Sequence, residues 1–280
     1  MVDGETSAVE SGDAWSSVAG AERVAEAAAK LARLGNSAAE IRVRRQWLDL
    51  LAPRSGEIVV DVGAGSGVVT VDLARWVAPG GRVFAVDPSA GLLDVARAAT
   101  HDSGFGHLVD CRVADGRKLP FGLAAFDAAI CHWVLLHVDC PEEIIAEMKR
   151  VTRRGGRVLS VEMDWDTLMI APGDRALTRR ILHHAADRNL DPWLGRRLPH
   201  LFAAAGLADL AVHAIVLTDQ GREDRAWFDF ALERGQNALD AGVITRDEFA
   251  GWAEGLQAAF RSGTFFFAVV QFAVIGRVPA

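Results

Sequence analysis

The most constraining stretch of this chain is Glu57–Gly67, which reads EIVVDVGAGSG. Its short apolar run predicts a buried strand, and an acidic residue, Asp61, stands near the end of that strand. Three alternating glycines follow, and the next segment, VVTVDLARWV, predicts a helix. A strand, a glycine loop and a helix are typical of an open α/β sheet, in which ligands bind at the carboxyl ends of the strands. We therefore expect the ligand site at this loop.

The spacing of the glycines distinguishes between classes of ligand. A dinucleotide-binding loop has the pattern G-x-G-x-x-G, which lets the backbone approach a pyrophosphate. Counted from Gly63, that pattern requires a glycine at position 68, where this chain has Val68. The pattern here is D-x-G-x-G-x-G, and its acidic residue favours a ligand with a positive end over a phosphate. S-adenosylmethionine fits this loop, because it carries a sulfonium and an amino group and no phosphate.

A second acidic residue, Asp87, ends the next predicted strand, RVFAVD. A carboxylate at this point suits the ribose of an adenosine, because it can accept hydrogen bonds from both vicinal hydroxyl groups. The alternative role of Asp87 is to cap the following helix, which Pro88 and Ser89 open. Nicotinamide enzymes share this acidic residue, so it does not separate the two cofactors.

Strands and helices alternate five times up to position 162, which predicts a doubly wound sheet. The third strand, LVDCRV, is followed by Asp115 and Gly116, a pair that is equally ordinary in turns. The fourth strand, FDAAIC, runs directly into HWVLLHV, and the fifth strand, RVLSVE, ends at Glu162.

Together, in this order and spacing, these motifs resemble the class I S-adenosylmethionine-dependent methyltransferases, in particular the small-molecule enzymes related to ubiquinone and menaquinone biosynthesis. The resemblance covers residues 55–165. It implies a Rossmann-like methyltransferase fold of the α/β class, with a doubly wound, mostly parallel sheet of seven strands whose last strand is antiparallel. It also implies that Asp115 accepts a hydrogen bond from the adenine amino group and that the end of the fourth strand faces the transferring methyl group. The predicted cofactor-binding residues are Asp61, Gly63, Ala64, Gly65, Gly67, Asp87, Pro88, Ser89, Asp115, Gly116, Cys131 and His132.

Further segments surround this core. Residues 1–18 are acidic, and their apolar residues show no helical or strand periodicity, so we expect them to be disordered. Residues 19–54 predict two helices, the second of which starts at a capping-box pattern, Ser37-x-x-Glu40. We expect these helices to form a lid over the cofactor and substrate, and the alternative is a layer packed on the sheet edge. Residues 55–280 form the methyltransferase domain, with helical insertions at about 170–206 and 221–262 that would roof the acceptor pocket.

Methyl transfer from a sulfonium has a good neutral leaving group, so much of the catalysis can be positioning. A base helps with a phenol or carboxylate acceptor, and a carbon acceptor must lose a proton afterwards. Candidate bases are His132, His137 and Glu162; His137 has the alternative of a packed or capping histidine, and Glu162 that of a helix or loop cap. Aromatic candidates for the acceptor pocket, for which ordinary core is the alternative, are Trp133, Trp165, Trp193, Phe228 and Phe230.

The composition excludes several classes of partner. A net charge of −7 without a long basic run argues against nucleic acid, because phosphate binding needs clustered Lys and Arg. No apolar run reaches the ~18 residues of a membrane span, and the acidic N-terminus is not a signal peptide. Three cysteines form neither a disulfide nor a metal-ligand framework, so no metal is implied and a reducing cytoplasm is expected. A homodimer is compatible with this composition.

The sequence therefore predicts an enzyme that transfers a methyl group from S-adenosylmethionine to a small, apolar or aromatic acceptor, on carbon or oxygen, with S-adenosylhomocysteine as product. The expected setting is bacterial secondary or quinone-type metabolism. The alternative is a protein of this fold that binds the cofactor but catalyses a reaction such as cyclisation, since fold does not fix function. Val68 and the acidic loop disfavour a nicotinamide oxidoreductase, and a non-enzymatic binding protein would not need a complete cofactor site.

Overall fold

Seven strands form one sheet at the centre of the molecule, which is a computed structural model that describes residues 20–280. The strands are β1 (Ile58–Val62), β2 (Arg82–Asp87), β3 (Val109–Val113), β4 (Phe126–His132), β5 (Thr152–Ala171), β6 (Ala208–Asp219) and β7 (Phe266–Arg277). Their order across the sheet is β3-β2-β1-β4-β5-β7-β6. Strands β1 to β5 pair in parallel, and β7 is antiparallel to both of its neighbours. The predicted doubly wound, mostly parallel sheet with an antiparallel last strand is therefore confirmed.

Helices cover both faces of this sheet. They are α1 (Ala21–Gly35), α2 (Ala38–Leu51), α3 (Val68–Val77), α4 (Ala90–Asp102), α5 (Pro141–Val151), α6 (Arg175–Asp187), α7 (Leu194–Ala204), α8 (Ala226–Asp240) and α9 (Arg246–Ser262). The predicted insertions contain α6 and α7 between β5 and β6, and α8 and α9 between β6 and β7. In the described part of the chain, none of these helices has the length and apolarity that a membrane crossing requires.

Strand β5 is longer than its predicted core, RVLSVE. It extends over 20 residues and takes in most of the segment that we expected to leave the sheet after Glu162. The pairing with β7 is irregular between Asp164 and Met169, where the Thr167 hydroxyl accepts a hydrogen bond from the backbone N–H of Val270 at 2.9 Å. This side-chain bond replaces a backbone one, so the strand can bulge and resume pairing, which a simple alternation pattern does not reveal.

The N-terminal helix α2 belongs to the core of the fold. Trp47 has no exposed surface, and Leu48 and Leu51 are buried beside it. Helix α2 packs on β5, β6 and β7, while α1 contributes residues to the cavity described below. The predicted disordered segment, residues 1–18, lies outside the described residues.

We expect Trp47→Ala to lower the free energy of unfolding by about 3–5 kcal/mol, because it removes a fully buried indole that joins α2 to the sheet. The matched control is Trp76→Ala in α3, where 42% of the residue is exposed and a loss of about 1 kcal/mol or less is expected. Urea denaturation followed by circular dichroism measures both. Equal losses would show that α2 is only loosely attached.

Candidate functional site

A cavity of about 420 Å³ opens at the carboxyl ends of β1, β2 and β4. The glycine loop and the strand ends line one side, and residues from α1, α6 and α8 line the other. This is the edge at which ligands of open α/β sheets bind, so the cavity lies where the sequence placed the ligand site.

Backbone N–H groups of the glycine loop donate hydrogen bonds to other atoms of the protein. Those of Gly63 and Ala64 donate to the carbonyl oxygen of Val86 at 2.7 and 3.0 Å, and that of Gly65 donates to Asp87 Oδ2 at 2.9 Å. These three donors are therefore taken, whereas a pyrophosphate would need such groups. Gly67 has a φ of 82°, and a Cβ there would lie 2.8 Å from the backbone of Ala96, so only glycine lets α3 pack this closely on α4.

The carboxyl group of Asp61 is buried in the wall of the cavity. Its Oδ2 accepts a hydrogen bond from the Thr70 hydroxyl at 2.6 Å. Burial raises the pKa of Asp61 to about 7, the hydrogen bond from Thr70 opposes that rise, and the nearby Asp87 carboxylate adds to it. A cation bound in the cavity would favour the ionised form, so this side chain suits a ligand with a positive end.

Asp87 joins the glycine loop to the start of α4. Its Oδ2 accepts from the N–H of Gly65, and its Oδ1 accepts from the N–H of Ser89, each at 2.9 Å. Burial raises the pKa of Asp87, while these two hydrogen bonds lower it. The helix cap itself is Ser89, which accepts from the N–H of Leu92 at 3.3 Å. The carboxylate of Asp87 lines the cavity, and each oxygen keeps a lone pair for another donor.

Asp115 and Gly116 line the cavity beyond the end of β3. The carboxylate of Asp115 is exposed. Its Oδ2 accepts hydrogen bonds from Arg117 Nε at 3.0 Å and from Arg117 Nη2 at 2.6 Å. The hydrogen bonds from Arg117 hold the pKa of Asp115 below its usual value. Asp115 is thus an ionised acceptor at the rim.

His132 stands at the end of β4 with its ring between two indoles. The ring centroids lie 5.1 Å from Trp47 and 4.4 Å from Trp133. Its Nε2 is buried and lies 3.3 Å from Glu40 Oε1, an ion-pair distance without the alignment of a hydrogen bond. The other oxygen of Glu40 accepts from Gln271 Nε2 at 2.7 Å. His132 lines the cavity, and since Nε2 faces Glu40, Nδ1 is the nitrogen left for a bound molecule.

Two residues that the sequence assigned to the site lie behind the cavity wall. Glu162 has no exposed surface, and its Oε1 accepts from the N–H groups of Val134 and Leu135 at 2.9 and 2.7 Å. Burial raises the pKa of Glu162 to about 8 in spite of these bonds. Cys131 is also fully buried, 3.3 Å from the Ser160 hydroxyl, and burial raises the pKa of its thiol. Neither side chain lines the cavity.

His137 lines the cavity from the turn that follows β4. Burial, together with the nearby Lys30 ammonium, lowers the pKa of His137 to about 4. Its imidazole is therefore neutral at pH 7. Among residues 20–280, no group of three His, Cys, Asp or Glu side chains is arranged to hold a metal ion.

The aromatic candidates separate into two groups. Trp133, Trp165 and Phe230 line the cavity. Trp193 is half exposed outside it, because its indole donates to Asp166 and stacks under the Arg196 guanidinium. Phe228 packs in the core 4.3 Å from the ring of Phe260.

Sequence reasoning missed three residues of this site. Glu40 was explained by the capping-box pattern, but only half of that box forms: Ser37 accepts from the N–H of Glu40 at 3.2 Å, and the carboxylate turns into the core. Gln271 is the one polar residue in the apolar run FFFAVVQFAVIG, a signal that could have identified it. Arg234, in the wall of the cavity, had no sequence signal.

Parts of the sequence and the fold are similar to those of known proteins. The family model described as "Methyltransferase domain" matches residues 60–160. A C-methyltransferase of ubiquinone and menaquinone biosynthesis, UbiE from Hahella chejuensis, is 32% identical over 138 residues, which are 48% of this chain and 55% of that protein. Residues 60–160 of this chain therefore carry a methyltransferase domain.

Another relative is similar over a longer part of this chain. An uncharacterized 37.1 kDa protein in a transposon of Streptomyces fradiae is 33% identical over 234 residues, 82% of this chain and 65% of that protein. The chain thus spans less than two thirds of the length of these curated relatives. The structure of the [4+2]-cyclase SpnF superposes with a TM-score of 0.54 at 22% identity, covering 88% of this chain and 84% of that one. At that identity the likeness establishes the fold alone.

Glu162 should make the free energy of unfolding depend on pH. Its carboxyl stays protonated in the folded protein up to about pH 8, whereas in the unfolded chain it ionises near 4.5. Its contribution to the free energy of unfolding therefore falls as the pH rises between these values. Because the amide does not titrate, Glu162→Gln should gain stability relative to wild type between about pH 5.5 and about pH 8.5.

Urea denaturation at both pH values measures this change. The control is Glu254→Gln on the exposed side of α9, for which the difference from wild type should stay constant. A Glu162→Gln difference that does not change with pH would mean that Glu162 is ionised in the folded protein.

Proposed function

We propose that this protein transfers the methyl group of S-adenosylmethionine to a small-molecule acceptor bound in the same cavity. The observation that carries the proposal is the pair of buried carboxyl groups, Asp61 and Asp87, beside a glycine loop in which the N–H groups of Gly63, Ala64 and Gly65 already donate to the protein. This arrangement disfavours phosphates and favours a ligand that has a cationic end and a ribose.

The residues present fit S-adenosylmethionine. Asp61 would face the positively charged methionine end, and the free lone pairs of Asp87 would accept from the ribose hydroxyls. Asp115 at the rim, with Gly116 beside it, would contact the adenine. When bound, the cofactor supplies an electrophilic methyl group on a sulfonium. The protein then has to orient the acceptor and, where needed, take its proton.

His132 is the base that the geometry supports best. Of the three candidates it combines access to the cavity with a buried carboxylate partner, Glu40. That carboxylate favours the proton on Nε2, which leaves Nδ1 unprotonated and able to accept a proton from the acceptor. His137 lines the same cavity and remains a second candidate. Glu162 is better suited to hold the turn between β4 and His137, because it accepts hydrogen bonds from the backbone N–H groups of Val134 and Leu135.

The cavity supports a small acceptor with an aromatic or flat apolar body, since Trp133, Trp165 and Phe230 form part of its wall. The C-methylation in ubiquinone and menaquinone biosynthesis that the name of the Hahella relative gives is a reaction of this kind. A cytoplasmic location remains a prediction. The cyclase alternative is distinguished by experiment, since a cyclase would bind the cofactor without consuming it.

We expect Asp87→Asn to weaken S-adenosylhomocysteine binding by about 1–3 kcal/mol, because the amide keeps the shape of the side chain but loses charge-assisted hydrogen bonds to the ribose. Isothermal titration calorimetry measures the affinity. Asp94→Asn, an exposed substitution on α4, is the control and should bind as the wild type does. Unchanged affinity in a folded Asp87→Asn variant would remove Asp87 from the ribose site.

His132→Ala and Glu40→Gln should each lower the turnover number by about 100-fold or more for an acceptor found by screening phenols and quinols, with unchanged affinity for S-adenosylhomocysteine. The amide of Glu40→Gln can donate to Nε2, which would move the imidazole proton to Nδ1 and block the base. Exposed His101→Ala is the control.

Wild-type turnover in both variants would mean that another group takes the proton. Cofactor binding without methyl transfer to any acceptor would favour a non-methylating reaction.

A further inference from the structure

We propose that Gln271 is a positioning residue for the reaction: acting through Glu40, it determines which ring nitrogen of His132 carries the proton. This inference rests on the proposed function, in which His132 is the base. Neither Gln271 nor Glu40 lines the cavity, so both act behind its wall.

The position of Gln271 in the sheet is one that an apolar side chain would fill at lower cost. The residue lies on β7, opposite Met163 of β5 and Ile215 of β6, and it has no exposed surface. Burying an amide is unfavourable unless it forms hydrogen bonds. Its Nε2 donates to Glu40 Oε2 at 2.7 Å, so the interaction that accounts for an amide here is the one with Glu40.

The partner also fixes the direction of the amide. An ionised carboxylate only accepts hydrogen bonds, so the amino end of Gln271 must face Glu40. Within residues 20–280, no group donates to the other end of the amide, Oε1, which is buried. A buried acceptor without a donor is costly and calls for an explanation. We find it in the need to hold Glu40 from one side.

Glu40 divides its two oxygens between Gln271 and His132. Because Oε2 is held by the glutamine, Oε1 is the oxygen that faces the histidine, 3.3 Å from its Nε2. Helix α2 makes a second contact with this ring, since Trp47 lies two turns after Glu40 on the same face and its ring centroid is 5.1 Å from that of His132. A hydrogen bond at one ring nitrogen sets the state of the other. This arrangement keeps the proton on Nε2 and leaves Nδ1 to take a proton from the acceptor.

A purely structural role for Gln271, in which it only satisfies a buried carboxylate, is the competing explanation. The two roles differ when position 40 carries an amide, which has one accepting end and one donating end. In Glu40→Gln, Gln271 would hold the accepting end, so the donating end would face Nε2 and the proton would move to Nδ1. Without the amide of Gln271, the side chain at position 40 could turn its oxygen to His132, and the proton would return to Nε2.

The test is a nuclear magnetic resonance measurement of the tautomer of His132 in ¹⁵N-histidine-labelled protein saturated with S-adenosylhomocysteine. The signals that disappear in His132→Ala identify the residue. We expect Nε2–H in the wild type, Nδ1–H in Glu40→Gln, and mainly Nε2–H again when Gln271→Met is added to Glu40→Gln. Methionine keeps an unbranched shape and has no amide, and Gln271→Leu serves if that variant does not fold.

The matched control is Gln46→Met in the Glu40→Gln background, because Gln46 lies on the exposed side of α2. This control should keep the Nδ1–H tautomer. All variants should bind S-adenosylhomocysteine within about twofold of the wild type, since independent sites do not couple.

A wild type with the proton on Nδ1 would overturn the inference, as would an Nδ1–H tautomer that survives the addition of Gln271→Met to Glu40→Gln. These spectra require no methyl acceptor, so they decide on Gln271 separately from the reaction. Failure of the wild type to bind S-adenosylhomocysteine would contradict the proposed function itself.

Discussion

The site depends on keeping carboxyl groups buried at one edge of the sheet. Glu40, Asp61, Asp87 and Glu162 are all nearly or fully inaccessible to water there, and burial of an unpaired carboxylate is strongly unfavourable. Each of the four is stabilised by specific donors: a glutamine amide, a threonine hydroxyl, or backbone N–H groups of the glycine loop and of the turn after β4. The same hydrogen bonds therefore fix the loops that shape the cavity and set the charge that a ligand meets.

The polarity of the cavity follows from this arrangement. Acidic residues at the ends of β1 and β2 line one side of the cavity, and the helices inserted after β5 and β6 bring arginines and aromatic rings to the other side. Residues 60–160, which match the methyltransferase domain, include Asp61, Asp87 and Asp115. The opposite side is built largely by α1, α6 and α8, which lie outside the matched residues and can vary without disturbing the sheet.

Much of this structure could be predicted from the sequence, because its signals are local. The glycine loop, the acidic strand ends and the alternation of apolar strands with helices each lie within a few residues, and they predicted a doubly wound sheet with a ligand site at the glycine loop. Contacts between distant segments could not be predicted in this way. Glu40 and Gln271 meet across 231 positions, and the bulge that extends β5 depends on a hydroxyl bonding to β7. Glu162 lies inside the extended β5 and Cys131 lies near the end of β4, and the direction in which their side chains point depends on packing.

The most direct test of the account is a calorimetric titration of the purified protein with S-adenosylmethionine and with NAD near pH 7, in two buffers of different ionisation enthalpy. We predict that S-adenosylmethionine binds, that NAD does not, and that binding releases protons, because a cationic ligand lowers the pKa of Asp61 from about 7. Absence of proton release would contradict the role of Asp61 alone. Binding of NAD in place of S-adenosylmethionine would contradict the assignment of the glycine loop and of the whole site.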